Sequence, residues 1–167
     1  MHDNKRLLTA LLLLVSYAAH ADFNEGVVAL MAGKFEAALK IFVPLAETDK
    51  HAYAQYFLAR MYEQGEGVAQ DRRVAAKWYR KAAEKGVNDA QFRLAAMYES
   101  GEGAPRDMEY AYGWYSVAAH LGSVKAGPAL ARTKALMRDE EWVQADKLAH
   151  DLIAKYGGVP EQTSRAQ

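Results

Sequence analysis

An all-α solenoid of stacked helix pairs is the fold class this sequence predicts, on three observations. Residues 54–86 and 90–122 are one stretch written twice: at an offset of 36 residues, without a gap, 17 of 33 positions are identical. A fixed period of this length marks a repeat array, in which each unit stacks on the next because none buries its apolar face alone. Within each copy the apolar residues recur at three- and four-residue spacing, the period of an amphipathic helix. Glycines then punctuate both copies at the same places, Gly65, Gly67 and Gly86 in one and Gly101, Gly103 and Gly122 in the other, dividing each into two helices.

The elements follow in chain order. Residues 1–21 read as a cleavable secretory signal. Lys5 and Arg6 form a basic start, Leu7 to Ala19 is an apolar run of thirteen residues, and Ala19-His20-Ala21 sets small residues at the recognition positions. That run is too short for a bilayer, which needs about 20 residues. Cleavage between Ala21 and Asp22 is expected, giving a periplasmic or secreted protein. No cysteine follows the run, so a lipoprotein anchor is excluded. Residues 22–50 are expected to form a shorter capping pair, with Gly26 and Gly33 in its first helix and turn, and Phe35, Ala38, Phe42 and Leu45 in its second. Pro44 lies inside that second helix and should bend it or expose a carbonyl.

The first full unit spans residues 51–86. Ala54, Leu58, Met61, Tyr62 and Gly65 share one helical face, and Gly65-Glu66-Gly67 breaks the helix because glycine enters left-handed backbone cheaply. Asp71 caps the next helix, which buries Ala75, Trp78, Tyr79, Ala82 and Ala83 and stops at Gly86. Residues 87–122 repeat this, with Asp107 as cap. In residues 123–156, Ala126, Leu130 and Ala131 fall in register with Ala90, Leu94 and Ala95. Asp139 is expected to cap a last helix carrying Trp142, Ala145, Leu148, Ala149 and Ile153, whose charged outer side suits a terminal cap. Glycine, proline and small polar residues predict a disordered tail over 157–167.

The pattern Leu58-Ala59, Tyr62, Gly65-Glu66-Gly67, Asp71, Ala75, Trp78-Tyr79, Ala82-Ala83, Gly86, kept in both copies, resembles the Sel-one-like repeat, a longer relative of the tetratricopeptide repeat. The stretch Phe23 to Glu47 resembles a shorter tetratricopeptide unit. The resemblance implies a right-handed superhelical solenoid of antiparallel helix pairs and a scaffolding role. Some cysteine-rich members are described as penicillin-binding or β-lactamase-like, so a cell-wall-acting enzyme is the alternative. This chain has no cysteine and no recognisable serine nucleophile.

The residues themselves offer little chemistry. After cleavage the chain keeps 19 basic and 20 acidic residues, which gives no footprint for nucleic acid. Without cysteine there are no disulfides, thiolate zinc sites or cysteine nucleophiles. His51, His120 and His150 have no histidine three or four residues away, so no metal helix is predicted. The Gly-x-Gly turns follow helices rather than strands, which argues against a phosphate loop. Neither a Gly-x-Ser-x-Gly elbow nor a Ser-x-x-Lys stretch occurs. Glu63 and Glu99, like Glu66 and Glu102, recur one unit apart, too far for a catalytic pair and suited to a ladder of surface charges. No enzyme activity and no cofactor are expected.

Two features point to surfaces. In tetratricopeptide-like stacks the first helices line the concave face. That alignment turns Tyr53, Tyr56, Arg60, Glu63 and Gln64 of one unit towards the groove, with Asp89, Phe92, Ala96, Glu99 and Ser100 of the next. Aromatic and arginine side chains are enriched in binding hot spots. The competing role for Tyr56 and Phe92 is packing between neighbouring first helices. Secondly, Arg72, Arg73, Lys77, Arg80, Lys81 and Lys85 make one second helix basic, whereas the next carries Met108, Glu109, Gly113, Ser116, Val117 and Leu121 there. An apolar helix of that kind should be covered. The C-terminal helices are one candidate cover; a partner, or a second copy giving a homodimer through Tyr110, Tyr112 and Val117, is the other. The reading is an exported, non-catalytic protein-binding adaptor.

Overall fold

The computed structural model describes residues 22–158; residues 1–21, where a cleavable signal is expected, and residues 159–167 of the expected tail lie outside the described residues. Among the described residues the chain is all helix. Helix α1, over 22–31, and α2 (Phe35–Glu47) form the first pair. The two repeats are α3 (Ala52–Gln64) with α4 (Arg72–Ala83), and α5 (Asn88–Ser100) with α6 (Met108–His120). The chain then runs through α7 (Ala126–Ala135) and α8 (Asp139–Tyr156). Consecutive helices pack from α2 to α7, as expected of a stacked array.

Each unit folds for the reasons its sequence carries. Asp71 accepts hydrogen bonds from the Arg73 and Val74 amides at 2.9 and 3.0 Å, and Asp107 from the Tyr110 amide at 3.0 Å. Those bonds satisfy donors that a helix start leaves open. Gly65 and Gly101 end α3 and α5 in left-handed backbone, at φ 76° and 78°. Pro44 sits at an exposed position of α2, where its missing donor costs the helix least, and the helix runs on to Glu47.

What joins one unit to the next was not visible in the sequence. Gln55 is buried on the apolar face of α3, and its Nε2 donates to the Ala46 carbonyl in the last turn of α2, at 3.0 Å. Gln91 repeats this towards Ala83 in α4, at 3.1 Å. At the other end, the second turn glycine of a unit lies against the start of the preceding second helix. A Cβ on Gly67 would stand 2.8 Å from the Phe35 Cβ, and one on Gly103 would stand 2.8 Å from the Arg72 carbonyl carbon. The second helix of a unit is therefore gripped at both ends by the unit that follows.

The C-terminal region departs from the expected register. In α7 the buried residues are Ala126, Ala129 and Thr133, while Leu130 is half-buried and Ala131 exposed. The helix packs chiefly along α6, so it needs only a narrow apolar stripe. Asp139 is not the cap of α8 but its first residue. Glu141, at the third helical position, accepts from the Arg138 amide at 2.9 Å and from its guanidinium at 2.8 Å. Helix α8 packs along α6, with Ala145, Ala149 and Leu152 buried and Trp142, Leu148 and Ile153 half-buried. Tyr156 stacks on Trp114 with ring centroids 5.3 Å apart. Within one chain, α8 thus covers the apolar face of α6, where Val117 is wholly buried. Of the three residues considered for a homodimer, Tyr110 is exposed and Tyr112 half-buried.

Candidate functional site

Of the residues expected in the groove, Tyr53, Tyr56, Arg60, Glu63 and Gln64 lie on α3 and Asp89, Phe92, Ala96, Glu99 and Ser100 on α5, and the two sets are dissimilar. In both, a glutamate of the first helix accepts a hydrogen bond from a buried tyrosine of the second. The Tyr79 hydroxyl donates to Glu63 Oε2 at 2.7 Å, and the Tyr115 hydroxyl to Glu99 Oε2 at 2.8 Å. Glu63 and Glu99 are therefore half-buried braces within their units rather than rungs of a surface ladder. Burial, reinforced by the adjoining carboxylate, holds both phenols above their ordinary 10.0.

The halves differ in how the glutamate is completed. Arg132 of α7 forks onto Glu99, with Nε to Oε1 at 2.8 Å and Nη2 to Oε2 at 2.7 Å. These bonds, opposed by partial burial and aided by Tyr115, hold the Glu99 carboxyl below the ordinary 4.5. The position 36 residues before Arg132 is Ala96, so Glu63 receives no equivalent fork. Asp89, Arg60, Arg93 and Glu63 all lie near enough for their charges to act on the Tyr56 phenol. Burial is the largest influence there and raises it, with Asp89 adding to the effect and the arginines opposing it.

Tyr56 and Phe92 turn out to be half-buried in both senses weighed for them. Tyr56 packs on Tyr79 at 5.9 Å and on Phe57 at 5.4 Å between ring centroids, and Phe92 on Tyr115 at 5.2 Å. Arg60 lies over the Phe57 ring at 5.9 Å. Tyr53 is exposed and tilts against Phe23, and Gln64, Asp89 and Ser100 are exposed. Ala96 is half-buried, and the Ser100 hydroxyl accepts from the Glu102 amide at 3.1 Å. Arg93 and Arg132 escaped sequence reasoning because neither repeats in the other copy. The only trace of the Gln55 and Gln91 staples was a polar residue kept twice on an apolar face.

The histidines have local roles. His51 Nδ1 accepts from the Ala54 amide at 3.2 Å as the N-cap of α3, and its ring stacks on Phe23. His150 meets the Asp146 carbonyl oxygen, and His120 is exposed at the end of α6. Trp114 is buried as expected. Trp78 is only half-buried, because the Lys81 ammonium covers its ring at 3.9 Å where a fully buried ring needs apolar neighbours.

The Glu99–Arg132 pair gives a prediction with a defined pH window. A carboxylate whose folded pKa is depressed stabilises the fold above its unfolded pKa, and that contribution is lost as pH falls through the folded value. Arg132→Ala should lower stability at neutral pH by about 1 kcal/mol, the upper range for a solvent-accessible pair, because the fork is bidentate. The gap between variant and wild type should close as pH falls below 4.5, where Glu99 protonates. Urea melts across that range check it; a gap independent of pH would assign the loss to packing.

Comparison with known proteins agrees with this architecture. The Sel1 repeat pattern matches residues 52–87 and 88–123. No curated protein matches the chain in sequence. Among solved structures, it is similar to a protective antigen present in uropathogenic Escherichia coli strains, described as displaying an SLR fold, with 30% identity and a TM-score of 0.77 over 89% of this chain. It is also similar to a Sel1 repeat protein from Oxalobacter formigenes, with 30% identity and a TM-score of 0.62 over 77% of this chain. The chain spans 33% of the first protein and 55% of the second. Its two central helix pairs match Sel1 repeats, and the all-helical chain around them is consistent with a helical repeat solenoid.

Proposed function

We propose that this chain is an exported, non-catalytic adaptor that holds a segment of an envelope protein in the groove formed by its first helices. Sel1 repeats generally mediate protein–protein interaction. The observation that carries the reading is the open half of the α3–α5 face. There the half-buried Tyr56 lies close enough to Arg60 and Arg93 for their charges to act on its phenol, and Glu63 lacks the arginine that closes Glu99. A tyrosine near two guanidiniums combines contact area with directed donors, the usual composition of an interface anchor. The segment would lie along α3 and α5 with its carboxylate or carbonyl groups towards the arginines.

A photo-crosslinking residue in place of Gln64, at the exposed rim of this face, tests the reading in the bacterium that makes the protein. The expected product is an adduct with one envelope protein, recovered from a periplasmic extract on a chain that begins at Asp22. A chain that keeps Met1 in the cytoplasm would refute export. An exported chain without an adduct would refute the groove.

A further inference from the structure

The outer face of α4 carries a second surface of different character. Arg73, Lys77 and Lys81 follow one another at four-residue intervals, which aligns them in one stripe along the helix. Arg72 meets Glu102 at 3.4 Å, but Arg73, Lys77 and Lys81 form no ion pair among the described residues. Two neighbouring cations are held in place by rings. Lys81 sits over Trp78 at 3.9 Å, and Arg80 lies over Tyr98 and donates to its hydroxyl. Beside the stripe, between α4 and the α5–α6 turn of the next unit, is an open cavity of about 900 Å³. Trp78, Ala104 and Pro105 give it apolar walls, and its rim carries four cations, Arg73, Lys77, Arg80 and Lys81, against the single carboxylate of Glu84.

The chain itself shows what such a face does when it is matched. On α6 the positions equivalent to Lys77 and Lys81 are Gly113 and Val117, both buried, and α8 lies against the first through Leu148 and Leu152. None of the segments beyond the described residues offers the α4 face a complement. Residues 159–167 carry one glutamate and one arginine, and residues 1–21 carry more base than acid. The unmatched charge calls for acid from another molecule, and the cavity calls for an apolar side chain.

We infer that the notch beside α4 docks an acidic protein segment bearing a bulky apolar residue. That residue enters between Trp78 and Pro105, while flanking carboxylates meet Arg73, Lys77 and Lys81. Complementary charge of this kind sets specificity and speeds encounter, and the apolar anchor slows release. The site shares no residue with the α3–α5 groove, so either can fail alone.

The probe is a fluorescein-labelled synthetic peptide with a tryptophan flanked by glutamates, titrated with the purified chain and read by fluorescence anisotropy. Saturable binding is expected, weakened by added salt and weakened when glycine replaces the tryptophan. The double variant Lys77→Glu/Lys81→Glu should bind at least about tenfold more weakly, Lys77→Ala should shift the same way, and Lys147→Ala, on the exposed side of α8, should bind as wild type. All these residues lie on the surface, and melting curves of each variant confirm that the fold persists. Equal affinity for a peptide with lysine in place of glutamate would overturn the proposal, as would a double variant that binds normally. Sedimentation with phosphatidylglycerol vesicles but no peptide binding would assign the face to an anionic membrane. A dimer of the free chain that the double variant dissolves would assign it to a second copy.

Discussion

Gly103→Val should be the most damaging single substitution in the chain, costing roughly 3–5 kcal/mol. Two effects add. At φ 82° the backbone is in the left-handed region, which a β-branched residue adopts only under strain. The added Cβ would also stand 2.8 Å from the Arg72 carbonyl carbon and closer still to its oxygen, so two units would have to part. Gly67→Val should follow, because its Cβ would meet the Phe35 Cβ at 2.8 Å and Leu39 Cδ1 at 3.0 Å, of which only the second can swing aside, with the Phe35 carbonyl carbon at 3.1 Å. Gly122→Val separates the effects: φ is 88° but nothing lies within 4 Å, so only strain remains, about 1–2 kcal/mol. Urea denaturation of the three variants checks the order. Equal losses at Gly103 and Gly122 would show that backbone strain alone explains these glycines.

Gly113→Lys should detach the last helix. The substitution gives the third unit the residue that the second has at Lys77. Its Cβ would approach Leu152 Cδ1 to 2.8 Å, and its ammonium would have to leave the apolar seam between α6 and α8. A loss of roughly 2–4 kcal/mol is expected, concentrated at the C-terminal end. Hydrogen exchange should rise across residues 139–156 while α3, α4 and α5 keep their protection, since stability in a repeat array is carried by neighbouring contacts. Unchanged protection in α8 would mean that the seam tolerates the charge and that the helix is held elsewhere.

These two substitutions also mark how far the sequence could be read. The glycines at 65, 67, 101 and 103 announced turns, because a conformational requirement is local and recurs with the repeat. What Gly67 and Gly103 touch was hidden, since Phe35 and Arg72 belong to the preceding unit and share no pattern with the turn. Gln55 and Gln91 were hidden for the same reason: their partners are backbone carbonyls, which any residue supplies. The apolar character of α6 gave notice that something covers it, and α8 was one of the named candidates. Its register was misjudged because α7 and α8 no longer follow the period. On the α3–α5 face, Tyr56, Phe92, Glu63 and Glu99 were found by alignment. Their roles diverged at two unrepeated residues, Arg93 and Arg132, which leave one half open and close the other.

That asymmetry underlies the account of function, and it can be measured directly. With the envelope segment identified by crosslinking, calorimetry should compare its affinity for the wild-type chain, Arg60→Ala, Tyr56→Ala and Arg132→Ala. Arg60→Ala and Tyr56→Ala should each lose about 1–2 kcal/mol or more of binding. Arg60→Ala should do so at an unchanged melting temperature, and Tyr56→Ala with a binding loss larger than its loss of stability, since its ring also packs on Tyr79. Arg132→Ala should lose stability in the manner described above and little affinity, since its guanidinium is committed to Glu99. The opposite pattern, with Arg60→Ala binding normally and Arg132→Ala failing to bind, would contradict the assignment of the groove to Tyr56 and its arginines.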